Sequence, residues 1–436
     1  ADNKTLEFFK NGVSQGVAFT SITGTYDPNP TAYQFFFGNW SSQNATYVVN
    51  FGQKPFKFPP PQGFLPLNSA SVTPETVITR PDQYVDVRSG LSAQFTISDL
   101  NFETNLMIAK STSNDEYWIW ADSVRGFIGG LRSNDTNAQG SGLAIANVNS
   151  NGYQSDSNWF TNGRTYVTYS FKAGGSKNTF NVDDVGYASA AAAGITEGTI
   201  SLTGASIGTK QGFSILSYSG SGSNGTFGHG LLETPEFVIV KCRNVTQNWA
   251  VQHSAYGPTK YTYLNQNYEA RTTGASAFWN DTAPTNSVVH VGTDNDTNAS
   301  ASGRTYIAYC WHDVPGLQKF GQFAGNNSAD GVFVELGFKP AILLIKNDNS
   351  TGDWIIWDSA RNPVNPVNRQ IWPYTTSGTY GAYDQVGSNY PMDFLSNGFK
   401  MRTTDADMNG SSRTYIYAAW AEAPVSNLYG GQSNAR

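Results

Sequence analysis

The groups in this chain best able to move a proton near neutral pH are its four histidines. His229, His253, His290 and His312 all fall between residues 229 and 312. A metal site or a general base would need partners at fixed spacing, and no His-Glu-x-x-His, Gly-x-Ser-x-Gly or phosphate-loop pattern is present. Ordinary turn and surface roles are therefore expected of them. Glu116, Asp122, Asp353 and Asp358 stand beside aromatic residues, as carboxylates do in sugar subsites. Glycoside hydrolysis needs two such groups roughly 5 to 9.5 Å apart. Yet a Trp followed by Asp recurs along the chain, which points to packing at a strand edge. Three acidic-amide turns, Asp156-Ser-Asn158, Asp294-Asn-Asp-Thr-Asn298 and Asp405-Ala-Asp-Met-Asn409, place oxygens at the alternate positions that open a Ca²⁺ loop. None continues into the Gly and distal Glu of an EF-hand, and the same residues close Asx-turns. The expectation is thus no catalytic residue, no metal ligand and no cofactor, with glycan-binding residues left open. Arg164, Arg304 and Arg413 read as caps on those turns or as partners of nearby acids.

The elements that would hold these groups are short. Thr5–Lys10, Thr46–Phe51, Arg164–Phe171, Glu236–Lys241 and Pro340–Lys346 are strand-length and bounded by Gly, Asn, Ser or Pro. No helical period persists over ten residues. The Ala-rich stretch 188–193 lies between Gly186 and Gly194 without an amphipathic face, and reads as a linker with room for one helical turn.

Three anchors recur in fixed order. The first is an apolar strand ending in Lys: Asn105–Lys110, Pro235–Lys241 and Pro340–Lys346. The second is a Trp five residues before a Ser: Trp118/Ser123, Trp249/Ser254 and Trp354/Ser359. The third is a strand opened by Arg-Thr-Tyr at Arg164, Arg304 and Arg413. They define repeats at 78–174, 211–315 and 316–424, each of roughly 100 residues and long enough for a small sandwich with its own core. In the third anchor Val167, Tyr169 and Phe171 form the more apolar face and should point inward. Residues 175–210 read as a linker or edge hairpin, 67–77 as a linker and 425–436 as a tail. Residues 1–66 contain no Trp-Ser or Arg-Thr-Tyr anchor and end in Phe58-Pro-Pro-Pro-Gln-Gly63, a boundary.

Charged residues make up 14% of the chain against about 25% ordinarily, while aromatics also reach 14%. With 27 basic and 33 acidic residues the net charge is −6. Such a surface argues against binding nucleic acid through its phosphates. Apolar runs stop near five residues, too short to insert in a bilayer as a helix. Only Cys242 and Cys310 are present, so a disulfide scaffold is excluded, while a single bridge would be possible if their strands were adjacent. Abundant Gly, Asn, Ser and Thr with many β-formers point to an all-β chain of tandem antiparallel β-sandwich domains.

Asn3–Phe19 followed by Val49–Phe56 resembles the C-terminal half of a SPRY-type β-sandwich, a jelly-roll-like module. The repeats resemble an uncharacterised repeat found downstream of SPRY-like modules in tail-fibre and other structural proteins of tailed phages. Gly212–Thr226, Gly228-His-Gly-Leu231, Asn280–Pro284, Leu395–Lys400 and the C-terminal Asn434-Ala-Arg436 carry the likeness. The first repeat departs most, lacking the Pro before its apolar strand and the Gly-His-Gly turn. The resemblance implies a longer biological protein and a non-enzymatic role in the virion, as a tail fibre or appendage assembled in the host cytoplasm and exposed outside it. Its partners would be other virion proteins, further copies of itself as a homotrimer, and host surface glycans. A lectin-like adhesin is the alternative, and a polysaccharide depolymerase the weaker one.

Overall fold

The computed structural model describes residues 6–11, 13–19, 57–58, 77–374, 385–386, 390–426 and 432–433. The chain divides into two units, Ala1–Thr76 and Val77–Arg436. In the first, Leu6–Lys10 and Val13–Phe19 pair as an antiparallel hairpin, with Glu7 opposite Val17 and Phe9 opposite Ser14. Val49–Phe56, Pro59–Gly63 and Asn434–Arg436, which carry part of the sequence argument, lie outside the described residues.

The second unit is built from the three repeats, and its described strands are almost all antiparallel. Each repeat contributes four strands to a sheet in the order opening, closing, lysine and tryptophan strand. The opening strands are Val85–Ser92, Phe213–Ser219 and Gln318–Ala324. The lysine strands are Leu106–Ser111, Phe237–Cys242 and Pro340–Asn347. The tryptophan strands are Ile119–Asp122, Trp249–His253 and Trp354–Asp358. The closing strands, opened by the Arg-Thr-Tyr anchor, are Thr165–Phe171, Thr305–Trp311 and Thr414–Ala421.

Register is the same in all three. Phe171, Trp311 and Trp420 stand opposite Leu106, Phe237 and Ile342, which stand opposite Asp122, His253 and Asp358. Since a slip of one residue would exchange the two faces of a strand, this common register gives equivalent side chains equivalent surroundings.

One face of each sheet is covered by a smaller sheet of the same repeat, giving three outer cores. In repeat 1, Ile97, Ile145 and Tyr153 pack on Met107, Ile119 and Tyr166. Phe227 and Val289 do the same over Val240 and Tyr306 in repeat 2, and Phe394 and Phe399 over Leu343 and Tyr415 in repeat 3. The opposite faces of all three sheets meet in a common core containing Ile108, Tyr169, Ile239, Tyr309, Leu344 and Trp420. Phe171, Trp311 and Trp420, at one sequence position, meet edge to face there, with centroids 5.4 to 6.5 Å apart. Truncating one such aromatic to Ala costs about 3–5 kcal/mol.

The sequence suggests one core per repeat. The structure retains that core and adds a shared one, so 78–174, 211–315 and 316–424 are not separable sandwiches. Val167, Tyr169 and Phe171 face the shared core, but Tyr166, Thr168 and Ser170 on the other face are buried too. The physical reason is that each sheet is covered on both faces, which also accounts for the uninterrupted apolar run Ala341–Ile345.

Residues 175–210 add three strands to the second sheet, which reaches eight with Thr262–Tyr263 at its other edge. Leu202–Gly208 pairs antiparallel with the opening strand of repeat 2, and Phe180–Val182 lies parallel to it on the outside, hairpinned to Val185–Tyr187. Residues 189–195 form a short turn, closed by Ala193 N–H donating to Ser189 O.

Candidate functional site

The recurring anchors make bonds between repeats, all running in one direction around a closed ring. The indole Nε1 of Trp118 donates to Trp372 O at 2.8 Å, that of Trp249 to Arg132 O at 2.8 Å and that of Trp354 to Tyr263 O at 2.9 Å. Repeat 1 thus reaches repeat 3, repeat 2 reaches repeat 1, and repeat 3 reaches repeat 2. A buried indole needs a partner for its N–H. For these three anchors that partner is a carbonyl of the neighbouring repeat.

A second ring runs the same way. Tyr309 OH donates to Asp122 Oδ2 at 2.8 Å, and Tyr169 OH donates to Asp358 Oδ2 at 2.8 Å. Each Asp also holds the arginine three residues on: Arg125 Nε lies 2.5 Å from Asp122 and Arg361 Nε 2.6 Å from Asp358, with every one of these side chains almost fully buried. The third position is built differently. Ala418 replaces the tyrosine, His253 the aspartate and Tyr256 the arginine. His253 donates from Nε2 to Tyr417 O at 3.1 Å, and Tyr256 OH donates to Val251 O at 2.9 Å, the carbonyl equivalent to those that Arg125 and Arg361 reach at Trp120 and Ile356. With no phenol to bond, a buried carboxylate would lose a donor, and the neutral His–Tyr pair avoids that cost. Asp122 and Asp358 are thereby committed to structure and fully shielded from solvent.

Lys110, Lys241 and Lys346 are also fully buried, and burial pulls each ammonium down to about 8. Each donates to the carbonyl six residues on, at Glu116, Gln247 and Gly352. Lys241 and Lys346 reach across to the neighbouring repeat as well, at Thr136 O and Asn267 O.

The acidic-amide turns close as Asx-turns. Asp156, Asp294 and Asp405 each accept through Oδ1 from the backbone N–H two residues on, at 2.8 to 2.9 Å. The anchor tyrosines hold the far end of each turn: Tyr166, Tyr306 and Tyr415 accept through their hydroxyls from Thr161, Ala299 and Gly410 N–H. Glu116 accepts from Tyr166 and pairs with Arg164, while Arg304 Nη1 donates to Asn295 O and Asp353 accepts from Tyr374. Among the described residues no three His, Cys, Asp or Glu side chains gather as a metal ion would require.

His229 and His253 are driven down to about 4 by burial and bond only to backbone. Glu236 is pushed up to about 7 by burial and the nearby Asp313, and burial raises Asp313 to about 6. Cys242 and Cys310 do lie on adjacent strands, but they stand opposite Tyr306 and Val238, four residues out of register and so roughly 13 Å apart. Both are buried free thiols.

Two further features escaped the sequence reading. A cavity of about 40 Å³ lies in the shared core, lined by Ile108, Trp118, Trp120, Trp311, Leu344 and Trp420. It is far below the roughly 300–1,000 Å³ of a small-molecule site. At the surface of repeat 1, the Arg132 guanidinium stacks 4.0 Å from the centroid of the exposed Tyr117 and 5.2 Å from that of Trp159. Neither shows in the sequence, because no spacing links residues 117, 132 and 159. The Tyr–Asp ring did leave a signal: the only Arg-Thr-Tyr strand lacking the later Tyr belongs to the ring position where His replaces Asp.

The geometry defines an interlocked, threefold all-β protein whose repeated polar residues join repeats. Over residues 81–424 the sequence matches a family described as a domain of unknown function (DUF7483), and the chain belongs to that family. It is also similar to the ATP-dependent RNA helicase DDX1 of Xenopus laevis, 39% identical over 69 residues, which is 16% of this chain and 8% of the helicase.

Proposed function

We propose that this chain is a non-enzymatic structural protein of a phage particle, a tail fibre or other appendage, associating with further virion proteins and with copies of itself. The observation that carries the reading is the pair of rings. The carboxylates best placed by sequence for chemistry, Asp122 and Asp358, are buried and bonded to an arginine and to a tyrosine of the next repeat. This arrangement favours mechanical integrity over reactivity. The likeness of the repeats to phage structural repeats supports the particle assignment. Labelling purified particles with an antibody to the chain and imaging them by electron microscopy tests it: label at the tail or on appendages is expected, and unlabelled particles would sink the proposal. Light scattering on the purified chain tests the homotrimer, which a monomer at micromolar concentration would exclude.

A lectin-like reading is favoured by the solvent-facing aromatic side chains of Tyr117 and Tyr268, each 44% exposed. Tyr117 is the one with a second aromatic, Trp159, near its arginine.

A further inference from the structure

The lectin-like reading can be given an address. We infer that the stack of Tyr117, Arg132 and Trp159 on repeat 1 is a binding platform for a neutral hexopyranose unit of a surface polysaccharide. This inference rests on that reading and names its site.

The platform is a departure from the threefold pattern. Trp159 occupies the position of Thr297 and Met408, which are fully buried in the other repeats. In repeat 1 the larger side chain lies part-exposed on a floor of glycines. A Cβ on Gly129 would stand 2.4 Å from its Nε1, and one on Gly130 2.9 Å from its ring, so the floor admits Trp159 only because those side chains are absent. Its Nε1 donates to Gly142 O at 3.3 Å. Arg132 takes the place of Tyr263 and Trp372, and Tyr117 that of Asn248 and Asp353. All three platform residues are thus particular to this repeat, and the fold is made twice without them.

The backbone beneath is rigid. Arg132 O receives the Trp249 indole, and Trp118, next to Tyr117, is held by Asn134 Oδ1 at its N–H and by Trp372 O at its indole. Arg132 Nη1 also lies 3.3 Å from Asp135 Oδ2, which fixes its plane. One face of Tyr117 is covered by the guanidinium. The remaining exposed ring surface is a flat, electron-rich platform on a pre-organised support.

The polarised C–H groups on the flat side of a pyranose ring suit such a surface. The hydrogen-bonding groups nearby are Asn114, Asp115 and Asn137, all exposed and able to engage hydroxyls. Glu116 is paired with Arg164 and Asp135 with Arg132, so these charges beside the platform are matched within the protein, which suits a neutral sugar better than a uronic or sialic acid.

The test is titration of the purified full chain with cellohexaose, galactohexaose and hexagalacturonate, alongside a glycan array, using wild type, Tyr117→Ala and Tyr117→Phe. Tyr117 is at the surface, so both variants should keep the wild-type melting temperature. The expected result is saturable binding of a neutral oligosaccharide, weakened about tenfold or more by Tyr117→Ala and within about twofold of wild type in Tyr117→Phe. Wild-type binding that Tyr117→Ala leaves unchanged would overturn this site while leaving the lectin reading standing. Preference for hexagalacturonate would overturn the neutral class. Absence of binding by the wild type to every glycan would overturn both the site and the reading it rests on.

Discussion

Replacing Tyr309 by Phe removes one hydroxyl from the shared core and, with it, the bond from repeat 2 to Asp122 of repeat 1. Asp122 keeps Arg125 as a partner, so no buried group is orphaned, and the loss is that of one hydrogen bond to a charged group, about 1.5–3 kcal/mol. Asp122→Ala is more severe. Arg125 retains the carbonyls of Ile128 and Trp120 but loses its counter-ion in a fully buried setting, which costs about 3–5 kcal/mol. The Tyr309 hydroxyl loses its acceptor in the same variant. If the ring joins the repeats, the double variant should therefore be about as stable as Asp122→Ala alone, giving a coupling of about 1.5–3 kcal/mol instead of additivity. Urea unfolding followed by tryptophan fluorescence measures all four proteins. Tyr169→Phe with Asp358→Ala is an internal replicate of the same geometry. The shared core further requires one cooperative transition for the three repeats. A coupling below about 0.5 kcal/mol in both cycles, or three separate transitions, would refute the interlocked ring as the source of stability.

Trp354→Phe should destabilise by about 0.5–1.5 kcal/mol through the lost indole bond, because Tyr263 O keeps the longer bond from Gln266 N–H, and Trp249→Phe should match it, since Arg132 O keeps Asp135 N–H; chemical denaturation gives the values. Glu236 has its folded pKa raised to about 7, so the protonated form is the one the fold prefers and this group's contribution declines as pH rises from its unfolded value towards 7. Glu236→Gln should therefore be more stable relative to wild type at pH 8 than at pH 4, and a constant difference across that range would contradict the assignment. The three lysines behave oppositely: with folded values near 8, below the unfolded 10.5, the unfolded chain holds more protons above pH 8. Unfolding free energy should rise between pH 8 and 9.5, and Lys241→Met should flatten part of that rise. Cys242 and Cys310 should resist a thiol reagent until the chain is unfolded, which a timed labelling experiment reads directly.

Much of this architecture was legible one strand at a time. Alternation and turn residues mark the strands, and the order of the Lys, Trp and Arg-Thr-Tyr anchors marks the repeats. The role of the anchors was not legible. Trp118, Trp249 and Trp354 look like ordinary core residues until their indoles are seen to bond the neighbouring repeat. Asp122 and Asp358 look like candidate acids until Tyr309 and Tyr169 arrive from elsewhere in the chain. The Asp and Asn turns look like the start of cation loops until their oxygens are found facing their own backbone.

The sequence by itself determined the all-β class, the triplication and which positions are equivalent, because those follow from local periodicity and from residues repeated at matching places. Tertiary structure alone decided that the three sheets share a core and that their polar anchors point from each repeat to the next. That outcome depends on both faces of each sheet being buried and on bonds between residues up to 254 positions apart. No local pattern encodes such separation; it emerges only when three equivalent surfaces close on one another and leave no polar atom of the ring to face solvent.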